Sequence, residues 1–232
     1  MKNTVEIPLV NIRDLVLYPG VEQSLYIGRA MTITAIRRAA NQKGRRILAV
    51  TQKRVQDLKP LSMRDMFKMG TICTIKQCVL LADGTMKVLV RAEKRAMVLR
   101  VFERDSIRYA SARLMGDVVQ PVRLPEKERR ELLELLVRWN PEVAVRDDNE
   151  KFIEIHKERN GKKFFKALLG LIGSPRNSVF VRSKGGQNKP MPRHSSFIND
   201  GMRRRQAILQ ENSPSQRAKA IRNVILKELS AK

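Results

Sequence analysis

Gly70–Val101 reads GTICTIKQCVLLADGTMKVLVRAEKRAMVLRV, and its pattern decides the fold. Two runs rich in Val, Ile, Leu and Thr, Thr71–Leu81 and Thr85–Val90, flank Asp83-Gly84. Asp-Gly between apolar runs is a strong hairpin signal, because both residues accept the positive φ of a tight turn. Met86, Val88 and Val90 share one face of the second run, and Lys87, Leu89 and Arg91 the other. A third run, Ala96–Val101, sets Met97, Leu99 and Val101 against Ala96, Val98 and Arg100. The three runs predict an antiparallel meander, a scaffold without a reactive centre. Cys73 and Cys78 lie on one predicted strand at odd spacing, which sends them to opposite faces. They should neither pair nor share a metal, and buried thiols are expected.

Working outward, Val5–Val10 predicts a short strand before Tyr18-Pro19-Gly20, where Pro fixes φ and Gly admits the left-handed region. Ser24–Ile27 predicts a strand. Ala30–Asn41 places Ile33, Ile36, Ala39 and Ala40 at helical spacing, with Arg37 and Arg38 on the wet side. Arg46–Thr51 (RILAVT) predicts a buried strand, Gln52–Asp65 a loop, and Arg108–Met115 a last strand. Pro125 then opens a helix with acids in its first turn, which suit the helix dipole, and Leu132, Leu133, Leu135, Leu136 and Val137 supply its apolar face. Asn140-Pro141 interrupts it. Phe152–Leu171 is helical by pattern. Ser174–Ser196 predicts a basic, Gly/Pro-rich loop, with a small strand at Val179–Val181. Arg203–Leu209 and Gln216–Leu229 close the chain as helices, with Ser213 as N-cap and Pro214 at the first helical position. The division expected is a β-rich unit at residues 1–120 and a helical unit at 121–232.

The 232 residues are 42% hydrophobic and 30% charged, the balance of a globular chain with a real core. No stretch approaches the roughly 18 continuous apolar residues of a membrane span, and Met1–Val10 lacks the apolar run of a signal peptide. A cytoplasmic protein, or one internal to a virion, is expected. Net charge is +24, with 47 basic against 23 acidic side chains. Each half carries +12 (22 minus 10 in residues 1–120, 25 minus 13 in 121–232), so the excess is not gathered on one reading surface. Arg176–Lys232 is richer, with 13 basic against 3 acidic residues. Aromatics make up only 5%, too few for an evident stacking platform. Polyanion contact is therefore one reading, through Arg176, Arg182, Lys184, Lys189, Arg193, Arg203, Arg204 and Arg205. The bland reading of the arginine triple is a solvated helix start.

The order EIPLVNIRDLVLYPG, LYIGR, a helix, RRILAVTQK, then MFKMGTICTIKQCVLLADGTMKVLVRAEKRA resembles the N-terminal LON domain of ATP-dependent Lon proteases. The matched positions are Pro8, Arg13, Asp14, Tyr18, Pro19, Gly20, Gly28, Arg29, Gln52, Lys53, Gly70, Thr71, Asp83, Gly84, Thr85, Lys87, Val88, Leu89 and Val90. Arg91-Ala92 departs from the Glu-Gly common there. RQAILQENSPSQRAKAIRNVILKEL is similar to the closing helical pair of the same domain. The resemblance implies an α+β fold: a β-rich, PUA-like pseudo-barrel followed by an α-helical bundle. It also implies substrate binding without chemistry of its own.

Motifs for chemistry are missing from the sequence. Gly161-Lys162 has His156 where a phosphate-binding loop needs its first Gly, so no nucleotide cradle is expected. His156 and His194 lack partners at ligand spacing, and Asp147-Asp148 reads as a solvated turn. His194 beside Ser195-Ser196 does not make a nucleophile and base, since adjacent residues seldom hold that geometry. No catalytic residue, cofactor or metal is expected. Three readings follow: a free-standing binding protein for polypeptide segments or a macromolecular partner, a basic nucleic-acid-binding accessory protein, and the N-terminal piece of a complete Lon protease.

Overall fold

Six strands and one helix are built before residue 115: β1 (Thr4–Ile12), β2 (Glu22–Ile27), α1 (Ala30–Ala40), β3 (Arg46–Thr51), β4 (Met69–Leu80), β5 (Met86–Arg104) and β6 (Ile107–Leu114). The structure is a computed structural model that describes residues 3–13, 15–54, 62–116, 126–139, 144–146, 152–154, 168–169, 172, 195–211 and 213–230. The strand order is β2-β5-β4-β3-β1-β6, and a further β5–β6 pairing closes all but β2 into a ring. β1 and β3 run parallel, and every other neighbouring pair is antiparallel.

Two residue sets explain why the ring closes. Ile7, Leu9, Leu48, Val50, Ile72, Ala96, Val98, Ala110 and Ala112 form one buried cluster to which all five ring strands contribute. Ile47, Ala49, Cys73, Ile75, Val88 and Val90 pack with Ile36 and Ala39 of α1 in another. β3 therefore has both faces covered, which is why RILAVT is apolar without alternation. At Gly70, a Cβ would lie 2.6 Å from the Ala49 carbonyl and 2.7 Å from Val50 Cγ2, so only glycine lets β4 lie this close to β3.

The second and third runs of the meander, expected as separate strands, are one 19-residue strand, β5. Neither Gly nor Pro interrupts them. The bend is taken up by bulges that leave Glu93 without an opposite residue on β4 and Leu99 without one on β6. A bulge at Lys76 overturns the expectation that the two cysteines face opposite ways. It slips the alternation by one residue, so Cys78 packs on the same cluster as Cys73, and both thiols are free. At the Asp83-Gly84 hairpin only Gly84 takes positive φ (79°), closing a three-residue loop in which Leu81 N donates to Thr85 O (2.8 Å). Asp105 and Ser106, both at positive φ, make the two-residue turn between β5 and β6.

The second half supplies α2 (Glu126–Trp139), a two-stranded β7 (Ala144–Arg146) and β8 (Phe152–Glu154), α3 (Ser195–Gln210) and α4 (Pro214–Ser230). Two expectations change here. Phe152–Glu154 is a strand and not the start of a helix, its backbone groups being taken by β7. α3 begins at Ser195, eight residues before the predicted start, so the polar SSFIND stretch is helix and not loop. The rest of Ser174–Ser196, with Val179–Val181, lies outside the described residues.

The two halves share a core. Val16, Tyr18, Val21 and Met69 are buried with Leu132, Trp139, Met202, Ile208, Ile221 and Ile225. Polar contacts fix the angle of docking. Tyr18 Oη donates to the Arg205 carbonyl (2.9 Å), and Gln206 Nε2 to the Met69 carbonyl (2.6 Å). Arg95, fully buried on β5, donates through Nη1 to the carbonyls of Leu209 (3.1 Å) and Glu211 (3.2 Å). A cation thus satisfies carbonyls that the end of a helix leaves without intrahelical partners. No helix among the described residues is long and apolar enough to cross a membrane.

Candidate functional site

β3 stops short of its neighbour. It pairs with β4 only from Ala49↔Thr71 to Arg46↔Thr74, whereas β4 runs on to Leu80. Beyond Thr74 the described structure is therefore a three-stranded sheet, β2-β5-β4, open along β2 and along the far half of β4. Its inner face carries Leu25, Ile27, Met86, Val88 and Val90, all buried in the cluster under α1. The outer face is wet. The register aligns Tyr26, Lys87 and Val79 in one row and Ser24, Leu89 and Gln77 in the next.

Apolar surface is left uncovered here. Tyr26 is 56% exposed and Val79 44% on this face, and Leu80, opposite Met86 on the inner side at the end of β4, is 52% exposed; they are three of the six large hydrophobic side chains exposed among the described residues. Cations surround them: Lys76, Lys87 and Arg91 on the strands, and Lys43, Arg45 and Arg46 where β3 begins, all exposed. Glu93 is partly buried and occupied, taking the Thr74 hydroxyl and lying 3.8 Å from Arg46 Nε. Such a face offers alternating apolar and cationic contacts with backbone edges beside them, a surface suited to an extended chain.

The residues expected to contact polyanions divide. Arg203 is exposed and Arg204 partly buried. Arg205 cannot serve, because only 1% of it is accessible. Its Nε donates to the Ile172 carbonyl (2.6 Å), Nη1 to the Gly201 carbonyl (3.2 Å), and Nη2 to Glu228 Oε1 (2.5 Å). The arginine triple is thus not a uniform basic patch: helical rotation carries its third member into the core. Arg176, Arg182, Lys184, Lys189 and Arg193 lie outside the described residues. The outer-face cations were not singled out from the sequence. The available signal was the length of β4 and β5 against the six residues of β3.

Motif positions from separate stretches meet at one end of the ring. Arg29 Nη2 donates to Gln52 Oε1 (2.8 Å), Gln52 N to the Ile12 carbonyl (2.8 Å), and Lys53 Nζ to the Arg64 carbonyl (2.7 Å). Burial, then the charges of Arg13 and Arg108, hold the Arg29 pKa below its ordinary value. These bonds tie strand ends together. Burial pushes the Cys73 thiol well above its ordinary range, which makes it a core group and not a nucleophile. No group of three or more metal-ligating side chains occurs among the described residues.

A closed ring with an appended sheet and a docked helical half is the architecture of the Lon N-terminal domain. The N-terminal domain of the Mycobacterium avium complex Lon protease superposes with a TM-score of 0.56 over 95% of this chain and 98% of that one, at 13% identity. Residues 6–181 match the ATP-dependent protease La (LON) substrate-binding domain, and the chain belongs to that family. It is similar to the Lon protease of Erwinia amylovora, 34% identical over 154 residues, or 66% of this chain and 18% of that one. It is also similar to the Lon protease of Vibrio parahaemolyticus, 37% identical over 101 residues, or 44% and 13%. The chain thus spans less than a fifth of the length of these relatives, and the domain matched is the substrate-binding one.

Proposed function

We propose that this chain is a non-catalytic binding module for polypeptide segments, and that the outer face and edges of β2-β5-β4 are its contact surface. The observation that carries this is the exposure of Tyr26 and Val79 in one row of the outer face, with Leu80 exposed at the end of β4, on a sheet whose inner face is packed. Fully burying an exposed apolar side chain gains about 1.5–3 kcal/mol, and these, already about half covered, stand to gain roughly half of that each. Membership of a substrate-binding family supports a polypeptide as what covers them.

The test is capture of a reduced, alkylated and unfolded polypeptide by the purified chain, with a lysine-directed cross-linker and mass mapping. Cross-links at Lys76 and Lys87 are expected, with neither ATP hydrolysis nor peptide cleavage. Absence of any captured chain removes the reading.

The polyanion reading is carried by the net charge of +24 and the exposure of Arg203. It keeps Arg203 and Arg204 together with Arg176, Arg182, Lys184, Lys189 and Arg193 as its contact set, without Arg205. It requires DNA or RNA binding that falls steeply between 50 and 200 mM salt and is lost in Arg203→Glu. A response flat in salt excludes it.

A further inference from the structure

The open edge of β4 has a chemistry that the polypeptide reading alone does not specify. β3 begins at Arg46, and the Arg45 carbonyl, at a backbone φ of 48°, accepts the Ile75 N–H (2.8 Å) as the last backbone contact on that side among the described residues. From Gln77 to Leu80 the side of β4 away from β5 meets no strand among the described residues. Among the described residues a slot is left open there, in line with β3. It is flanked by exposed Val79 and Leu80, and its mouth carries Lys43, Arg45, Arg46 and Lys76.

An unguarded edge invites pairing with another copy of the same chain, and proteins commonly block this with lysines and bulges. Lys76 is both: it is the unopposed residue of the β4 bulge, and it is exposed. A second copy entering the slot would bring its own Lys76 and Lys87 against these cations. Each copy carries +24 in total, so the long-range field also resists self-association. The same charges favour an acidic strand, and opposite charges at cross-strand neighbours contribute roughly 0.2–1 kcal/mol per pair.

We propose that the edge of β4 from Gln77 to Leu80 accepts an extended polypeptide segment bearing both acidic and apolar residues, which adds to the sheet in the space β3 leaves beyond Arg46. The inference rests on the polypeptide-binding reading and narrows it to one edge, one backbone geometry and one charge. Main-chain hydrogen bonds supply affinity, Val79 on the outer face or Leu80 on the inner face meets the apolar side chains according to which way the added strand faces, and the cations at the mouth select acids.

The probe is a fluorescein-labelled twelve-residue peptide alternating Glu with Ile or Val, titrated with the full chain by fluorescence anisotropy. A strand at an edge presents only alternate N–H groups to its neighbour. N-methylation in one alternate phase should therefore weaken binding at least tenfold and in the other phase by less than threefold. Replacing Glu by Lys should weaken it more than tenfold, and so should the double variant Val79→Thr, Leu80→Thr, whose residues keep β propensity. Thermal melts confirm that this variant is folded. Arg45→Gln with Arg46→Gln, again verified by melting, should weaken the acidic peptide and leave a Ser-for-Glu analogue unaffected.

Equal sensitivity to both N-methyl phases, or unchanged binding in the Val79/Leu80 variant, overturns strand addition at this edge. Displacement of the peptide by a single-stranded oligonucleotide at lower concentration than by unlabelled peptide overturns it as well, and assigns the cations to a nucleic acid. If unfolded polypeptide is still captured while the alternating peptide fails, the edge assignment is wrong and the broader reading stands. If neither binds, both fall.

Discussion

Arg205 Nη2 lies 2.5 Å from Glu228 Oε1, and the two side chains, 2% and 10% exposed, link α3 to α4 inside the core. The second oxygen of Glu228 accepts Trp139 Nε1–H from α2 (2.9 Å), so one carboxylate gathers three helices. Removing one partner of a buried pair strands the other charge, which costs about 3–5 kcal/mol. Arg205→Ala should show that loss in urea unfolding, and exposed Arg203→Ala should stay within about 0.5 kcal/mol of the parent. Equal effects of the two substitutions would contradict the burial described.

Arg95 is the second internal cation, and its role is different: it crosses from β5 to the end of α3. Hydrogen bonds from a charged group contribute roughly 1.5–3 kcal/mol. Arg95→Leu keeps apolar bulk while orphaning the carbonyl of Leu209, and leaves that of Glu211 to Arg217 Nε (2.7 Å). The expected outcome is a loss in that range, with faster amide hydrogen exchange in α3 and α4 than in β3. Exchange that rises uniformly over the chain would place the effect elsewhere.

These two arginines show where sequence reading stops. RILAVT, Pro19-Gly20 and Asp83-Gly84 were legible because each encodes a local rule: two covered faces, a fixed φ, a left-handed glycine. Arg95 and Arg205 look like any surface arginine, since burial depends on which helix meets which strand. Bulges hide for the same reason. Nothing local to Lys76 announces the slip that brings Cys78 to the side of Cys73, or announces that residues 86–104 form one strand. The candidate site was half legible: Lys87, Leu89 and Arg91 were seen to share a face, but its exposure follows from β3 being shorter than β4.

Gly70 gives a steric test. A methyl group there meets backbone oxygen and a β-branched side chain, neither of which can swing away. Overpacking of this kind costs about 1–3 kcal/mol. Gly70→Ala should lower the urea midpoint accordingly, and Gly28→Ala, whose nearest neighbour is Thr85 Cγ2 at 3.7 Å, should cost less. Similar losses for both would mean that the contact between β3 and β4 is not the constraint.

Stability should fall on the alkaline side, for a reason traceable to two groups. Burial raises the pKa of Tyr18 and of Cys73 above their ordinary values. The unfolded chain therefore gives up these protons first, the thiol near about 8.5 and the phenol near about 10. Above those values the unfolded state binds fewer protons than the folded one, so unfolding free energy decreases as pH rises, by at most about 1.4 kcal/mol per pH unit for each group. Below about pH 8 both contributions are fully present. Tyr18→Phe should cost about 1 kcal/mol at neutral pH through the lost hydrogen bond to the Arg205 carbonyl, yet flatten the decline above pH 10. Cys73→Ala should flatten it from about pH 8.5. Urea midpoints at pH 7, 9 and 10.5 for the parent, each variant and the double variant measure the difference, and identical slopes in all four would show that neither group is held protonated by the fold.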